Sequence, residues 1–390
     1  MERTKIIITC AKGIAPFLKE EILKLGFSVV SETVTSVMTE GNIEDAMKLN
    51  LWLRTGHRVL FLIREFFSED PDELYDKLIE IPWENYISED GYFCVTSSVD
   101  NPTIKDSRYA NVKCKDAIVD RIRLKKGKRP DSGPERNSTV VNLYWKDKYC
   151  SVYLDTSGEA LSRRNYRKIP FKAPMQETLA SAVIMATKWD GKSHFVNPMC
   201  GSGTLAIEAA LMGINKPPGI LRSNYSFMHL KGFKSNYWNQ LRIDAKKNTM
   251  KKLNCKIIAS DISEEAVSAA IKNAKTAGVE QLIEFLVCDY SETEIPEGEG
   301  VVILNPEYGE RMGKVKELET VYKGIGDFFK QKCTGYKGYI FTGNLDLAKK
   351  VGLKTFCKIP FYNGDIECRL LGYELYKGSK KKQKELLFYT

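Results

Sequence analysis

The chain is poor in histidine, with only His57, His194 and His229, and none of its ten cysteines stands in a CxxC pair. A zinc site draws on clustered cysteines and histidines, so no metal is expected. Several thiols sit in apolar runs and read as small buried hydrophobes. Free thiols in this number suit a reducing compartment. Also missing is any apolar stretch near the ~18 residues that a membrane helix needs. The N-terminal Met1–Lys5 leads straight into Ile6-Ile7-Ile8, an apolar run too short for a signal peptide and without a cleavage site. No internal repeat and no long low-complexity tract is visible. The expectation is a soluble, cytoplasmic protein with neither membrane nor metal as a partner.

What is present is an ordinary globular composition. Hydrophobic residues make up 43% of 390 positions, enough for an ample core. At roughly 150 residues per domain, two or three domains are expected. The net charge of +9 favours an anionic partner. Its distribution says more than its total. The segment Lys105–Arg129 holds ten lysines and arginines against three aspartates, a local +7. A second basic run, Arg163-Arg164-Asn165-Tyr166-Arg167-Lys168, precedes Pro170 and Pro174 and reads as a linker. The tail Lys380-Lys381-Lys382-Gln383-Lys384 reads as a solvated charge run.

Hydrophobic periodicity divides the chain. Residues 5–60 read as strand, helix, strand, helix, with Ala15–Leu25 ended by Gly26, Val29–Thr39 as a strand and Ile43–Leu53 as the second helix. Val59–Glu65 is strand-like. Residues 66–155 read as a second small α+β unit, with strands at Tyr92–Val99 and Val140–Leu143 flanking the basic segment, which is helical as far as Gly127. From Gln176 helices and strands alternate: Glu177–Trp189 helix, His194–Asn197 strand, Thr204–Met212 helix, Lys256–Ser260 strand, Glu264–Ala277 helix, Ile283–Cys288 and Gly300–Leu304 strands, Leu318–Cys333 helix, Lys337–Thr342 strand. That alternation predicts an α/β, mostly parallel, doubly wound sheet.

Two runs carry chemistry. In Asn197-Pro198-Met199-Cys200-Gly201-Ser202-Gly203-Thr204 a strand ends, glycines turn the chain, and a helix begins. Ligands bind at the carboxyl ends of such strands, and a helix N-terminus offers N–H groups to a carboxylate. No Gly-Lys-Ser/Thr follows, so this is no phosphate loop, and GSGT is not GxGxxG. The next strand ends in Asp261-Ile262, placed to hold a ribose diol. The one after it ends before Asp289-Tyr290, suited to an adenine amino group. Each aspartate alone is equally a helix cap; three successive strand ends so furnished are harder to reach by chance.

The second run is Asn305-Pro306-Glu307-Tyr308, continuing Gly309-Glu310-Arg311-Met312. Asparagine is poor at the end of a core strand unless its amide is used. An exocyclic base amine is a donor, so the Asn305 oxygen and the Pro306 carbonyl suit its two hydrogens and aim its lone pair at a methyl donor. Tyr308 is placed to stack on a base withdrawn from its neighbours. Positioning then does most of the catalysis. Glu307 is available as a base without being required as one. Taken alone, the run also reads as an Asx-Pro turn.

These residues resemble the class I amino-methylating methyltransferases, whose fourth motif is usually Asn/Asp-Pro-Pro-Tyr/Phe/Trp. The whole chain resembles the THUMP-domain RNA guanine-N2 methyltransferases that modify bacterial large-subunit rRNA. The runs that carry this are Leu53-Arg54-Thr55 with Arg58-Val59-Leu60, Lys115–Arg121, Asp155-Thr156-Ser157-Gly158-Glu159, Arg163–Arg167, Ala173–Ala180 and the two motifs. The sequence departs from the pattern at Asn197, where aspartate is common, and at Glu307, where a second proline is usual.

The resemblance implies an N-terminal ferredoxin-like piece (1–65), a THUMP RNA-binding domain (66–162), a linker (163–174) and a Rossmann-like catalytic domain (175–390). It implies S-adenosylmethionine as cofactor, held by Gln176, Thr178, Asn197, Pro198, Cys200, Gly201, Ser202, Gly203, Thr204, Asp261, Ile262, Asp289 and Tyr290. It makes Asn305–Tyr308 the base clamp and guanosine N2 in rRNA the target. A tRNA guanosine, an adenine N6 and a non-catalytic assembly role are the alternatives. RNA contacts fall to Arg108, Lys113, Lys115, Arg121, Arg123, Lys125 and Lys126, with Tyr109 among them, and to Arg163, Arg164 and Arg167 of the connector. Gly203 and Asp261 lie 58 positions apart, against the ~20 of a simple βαβ unit. The insertion, roughly 213–255, carries Tyr225, Phe227, Phe233, Tyr237 and Trp238, which either wall a base pocket or pack a core.

Overall fold

The computed structural model describes residues 2–104, 106–169, 174–308 and 315–376. Lys105, the connector residues 170–173, the second half of the clamp run (309–312) and the lysine-rich tail lie outside the described residues. The chain forms two compact units, one of Met1–Ala11, Leu18–Arg164 and Pro217–Lys247, the other of Lys12–Phe17, Asn165–Lys216 and Asn248–Thr390.

The first unit is built on one eight-stranded sheet. Its elements are β1 (Thr4–Thr9), α1 (Ala15–Lys24), β2 (Ser31–Glu32), β3 (Ser36–Gly41), α2 (Ile43–Trp52), β4 (Arg58–Phe67), α3 (Pro71–Ile79), β5 (Tyr92–Asp100), α4 (Ser107–Lys126), β6 (Asp131–Ser132), β7 (Thr139–Lys146) and β8 (Tyr149–Asp155). The strand order is β2-β3-β1-β4-β8-β7-β5-β6. Antiparallel pairing of β4 with β8 joins the ferredoxin-like and the following α+β segments into that one sheet. Val29–Thr39, expected as one strand, is instead split, with β2 and β3 paired antiparallel. The basic segment is the helix expected. Asp106 caps it by accepting from Arg108 N, and Gly127 ends it at φ 71°, a left-handed conformation that glycine takes at little cost. Ile118 and Ile122 of α4 pack with Leu74 and Leu78 of α3, and with Phe93, Leu143, Trp145 and Val152 of the sheet.

The second unit holds α5 (Glu177–Ala186), β9 (His194–Pro198), α6 (Thr204–Gly213), β10 (Ile257–Asp261), α8 (Glu264–Ala277), β11 (Ile283–Val287), β12 (Gly300–Leu304), α9 (Val315–Gln331), β13 (Lys337–Thr342), α10 (Leu345–Lys349), β14 (Thr355–Asn363) and β15 (Ile366–Glu374). Between α6 and β10 the chain gives α7 (Ser235–Lys247) to the first unit. The sheet runs β11-β10-β9-β12-β13-β15-β14. Five strands are parallel as expected; β15 pairs antiparallel with both β13 and β14. Val196, Ile258, Val302, Leu304 and Ile340 are buried against Tyr322, Ile325 and Phe329 of α9, which is why these strands read as unbroken apolar runs. Chain order reverses between β9 and β12. That switch point is where an open α/β sheet leaves a crevice beyond its strand ends.

Candidate active site

The glycine turn is held by backbone geometry and by one aspartate. Met199, Gly201 and Gly203 take φ of 61°, 53° and 82°. A Cβ on Gly203 would stand 2.8 Å from that of Ala270, so glycine is required there twice over. Gly203 N donates to Cys200 O at 2.9 Å, closing the turn at the head of α6. Gly203 at the N-cap brings no side chain to cap α6, which leaves the N–H groups of its first turn for an anion. Asp261 accepts from Gly201 N at 2.9 Å through Oδ2 and from Ser263 N at 3.0 Å through Oδ1. It thus ties the turn to the end of β10 and keeps further lone pairs for a ligand. Asp289 accepts from Ser291 N and Ser291 Oγ. Tyr290 packs edge-on against Phe328.

The clamp strand β12 is buried to Leu304, after which Asn305 is half-buried and Glu307 exposed. These strand ends enclose one cavity of about 570 Å³. Of the residues expected there, Cys200, Gly201, Ser202, Thr204, Asp261, Ile262, Asp289, Tyr290, Asn305, Pro306 and Glu307 line it. A Cβ on Gly201 would meet no atom of the described residues within 4 Å, so the cradle has room for a ligand beside that backbone. Burial raises the Cys200 thiol well above its usual range; Cys200 is a wall, not a nucleophile.

Several expected residues serve otherwise. Gln176 is the exposed residue preceding α5, and Thr178 is fully buried in that helix; the residues from this segment that reach the cavity are Pro174 and Met175. Pro198 and Gly203 shape the turn without lining the space. Asn197 is buried and braces the switch point. The β9–β12 ladder pairs as far as Val196 with Val302, and one residue on, Asn197 Nδ2 donates to Ile303 O at 2.9 Å. Its Oδ1 has no partner among the described residues. Aspartate at this position could not donate that bond. Sequence reasoning also missed Met199, Leu205, Ser263, Glu265, Leu318 and Val321 as lining residues; apolar side chains on a helix give no sign of which cavity they face.

Two connector arginines expected on RNA are instead structural. Arg164 is 1% exposed, and its guanidinium donates to Leu161 O and Arg54 O. Arg167 donates to Glu177 Oε1 at 3.1 Å, Met175 O at 2.7 Å and Thr204 Oγ1 at 3.2 Å. It fastens the cavity-lining Met175 to the head of α6. Arg163 stays exposed, paired with Glu159 four residues back. Along α4, Arg108 pairs with Asp106, Lys113 with Asp72, Lys115 with Asp116, and Arg121 is bidentate on Glu84. Arg123, Lys125 and Lys126 are exposed in the last turn and form no ion pair among the described residues.

The insertion aromatics form a core cluster of the first unit. Tyr225 and Phe227 stack at 5.0 Å, Trp238 meets both edge-on, and Phe233 lies 5.9 Å from Phe227. Of the two readings of the insertion, core packing accounts for Tyr225, Phe227, Phe233 and Trp238; Tyr237 is 36% exposed. Among the described residues no cluster of three His, Cys, Asp or Glu could hold a metal, and no helix is long and apolar enough to cross a membrane.

Comparison with known proteins bears on the whole chain. Residues 164–371 match the RMKL-like methyltransferase domain family, 5–60 the RlmL ferredoxin-like domain and 68–155 the THUMP domain. The "Ribosomal RNA large subunit methyltransferase K/L" of Syntrophotalea carbinolica is 35% identical over 382 residues, covering 95% of this chain and 53% of its own length. The chain therefore spans about half the length of the K/L relatives it matches. The "Putative RNA methyltransferase slr0064" of Synechocystis sp. is 32% identical over 368 residues, which is 94% of this chain and 96% of that one. Among solved structures, "SMU.472, a putative methyltransferase complexed with SAH" superposes with a TM-score of 0.88 at 27% identity, covering 97% and 100% of the two chains. A "possible methylase" from Clostridium difficile 630 does so at 0.87 and 30%, with the same coverage.

Proposed function

Because the chain belongs to the RMKL-like methyltransferase family and carries that family's THUMP and ferredoxin-like companions, we propose that it methylates the exocyclic N2 amine of a guanosine in RNA, large-subunit (23S) rRNA foremost, in the cytoplasm. It is a class I methyltransferase, and its cofactor is S-adenosylmethionine. The observation that carries the substrate reading is the convergence of the Asn305–Pro306 corner with Gly201, Asp261 and Asp289 on one cavity.

When bound, the cofactor supplies an electrophilic methyl group. The uncapped α6 head and the open Gly201 backbone suit its carboxylate end, Asp261 its ribose and Asp289 its adenine. A guanine amine is a feeble nucleophile because its lone pair is delocalised into the ring. Asn305 Oδ1 and the Pro306 carbonyl accept its two hydrogens, favouring a pyramidal nitrogen held for in-line attack. The proton leaves after methyl transfer, so no strong base is needed. Glu307, exposed at the rim in place of a second proline, stays outside the two acceptors this requires.

The test is transfer of labelled methyl groups to unmodified 23S rRNA, tRNA and duplex DNA offered side by side, followed by nucleoside mass spectrometry. N2-methylguanosine in rRNA is the expected product. The same nucleoside in tRNA, or N6-methyladenine in DNA, would move the substrate; no incorporation at all would leave a binding protein.

RNA binding narrows to Arg123, Lys125 and Lys126, since the other basic residues named are paired with carboxylates or buried. For Arg123, Lys125 and Lys126, favourable interaction with the C-terminal end of α4 is the competing role. Neutralising those three to glutamine should weaken rRNA binding and flatten its dependence on log salt by roughly two to three units, because each phosphate contact contributes about 0.7 to 0.9. Cofactor affinity should not change. An unaltered salt slope, measured by filter binding, assigns the three charges to the helix alone.

A further inference from the structure

Glu307 stands where a second proline is usual, and the amine clamp makes no use of its side chain. It nevertheless lines the cavity together with Asn305 and Pro306. The corner that carries it is fixed on both sides. The hydroxyl of the buried Tyr322 donates to Glu307 O at 3.4 Å and pairs with Thr342 Oγ1 at 2.7 Å. One residue on, Asn344 Nδ2 donates to Tyr308 O at 3.1 Å. Asn344 is held at its other end, where Oδ1 caps α10 by accepting from Asp346 N and Leu347 N. The direction in which Glu307 leaves the backbone is therefore set by α9, β13 and α10. The cavity wall is rich in acceptors. Four carboxylates line it, those of Asp261, Glu265, Asp289 and Glu307, and no lysine or arginine does among the described residues. Of the four, Glu307 alone follows the clamp directly in the chain.

An exocyclic amine does not by itself identify the base, because guanine, adenine and cytosine each carry one. What differs is the ring nitrogen beside it on the Watson–Crick edge, the edge by which a withdrawn base is read. In guanine that nitrogen is N1–H, a donor. In adenine and cytosine it is bare, an acceptor. A base whose amine lies between Asn305 Oδ1 and the Pro306 carbonyl brings this nitrogen alongside the residue that follows them. A carboxylate there accepts N1–H of guanine in a charge-assisted bond. To adenine or cytosine it opposes lone pair to lone pair, which rejects them. A proline side chain does neither. We infer that Glu307 is a specificity-determining residue: its carboxylate accepts the N1–H of the target base and so selects guanine among the amino bases. The inference rests on the amine-clamp reading above and gives its choice of guanine a physical ground.

The test uses the full chain and a synthetic RNA around the nucleotide methylated in the assay above, with either guanine or 2-aminopurine at that position. 2-Aminopurine keeps the exocyclic amine and lacks the N1 proton. Wild type should prefer the guanine RNA in kcat/KM by at least about tenfold, and up to about a hundredfold, the worth of one hydrogen bond to a charged group. Glu307→Ala should shrink that preference by about tenfold or more, through loss on the guanine RNA and not on the other. 2-Aminopurine also lacks O6, but that difference is common to both proteins and cancels in the cycle. Glu307 is exposed, so the variant should fold, and an S-adenosylmethionine affinity within about twofold of wild type reports an intact site. An equal loss on both RNAs overturns the proposal and makes Glu307 a base or a general prop. So does a loss of cofactor affinity, which would assign the carboxylate to the cofactor's positive charge. If wild type methylates no guanine at all, the reading of the site as a guanine-amine clamp has failed first.

Discussion

Asn305→Ala should lower the rate of methyl transfer by about 100- to 1,000-fold, the range seen when one preorganised hydrogen-bonding group is removed from a reacting centre. S-adenosylmethionine affinity should be unchanged. The split follows from where the residue sits. Asn305 follows β12, while the residues proposed to hold the cofactor come from the turn after β9 and from the ends of β10 and β11. Truncation deletes an acceptor for the substrate amine and leaves those three loops untouched. It also removes the acceptor of the Tyr308 hydroxyl, but that hydroxyl keeps the Asn363 and Cys368 side chains as neighbours, so the fold should survive. Single-turnover kinetics on rRNA together with cofactor titration read both halves. Turnover within a few-fold of wild type would remove the amine clamp from the mechanism. A parallel loss of cofactor affinity would mean that Asn305 belongs to the cofactor site instead.

What the sequence made legible, and what it hid, divides along a physical line. The four strand ends of the site could be read because each is a local signal: an apolar run, then glycines, an aspartate or Asn-Pro within two residues. The five parallel strands were legible for the same reason. Long-range partners were not. Arg164 and Arg167 look like a basic connector suited to RNA, yet the carbonyl that holds Arg164 belongs to Arg54, 110 positions away, and the hydroxyl held by Arg167 lies 37 positions on. No periodicity shows such pairs. The basic face of α4 was overcounted similarly, because Glu84 and Asp72 neutralise it from other elements. The insertion aromatics were ambiguous since a core cluster and a pocket wall call for the same side chains. Tyr308 shows the limit at close range: nothing in its type foretells the bond of its hydroxyl to Asn305, three residues away.

Asp261→Ala should weaken S-adenosylmethionine binding by about 10- to 100-fold, from the loss of charge-assisted hydrogen bonds worth roughly 1.5–3 kcal/mol. Two roles compete for that effect. One carboxylate oxygen already holds Gly201 N and the other Ser263 N, so alanine loosens the glycine turn whether or not the ribose is bound there. A ligand that lacks the ribose hydroxyls separates the two. If Asp261 also holds the diol, the variant should lose clearly less affinity for such an analogue than for the full cofactor, because with the analogue only the turn is affected and the diol contact is already absent. If Asp261 acts only by shaping the turn, the variant should lose the same factor for the analogue as for the full cofactor, since the turn is needed by either. The two ligands titrated against the two proteins form a cycle whose coupling term is the ribose contact itself. A coupling near zero would leave Asp261 a turn-and-helix anchor, the helix-cap role that its position before Ser263 and Glu264 also suits, and the ribose would then need another partner along the same cavity.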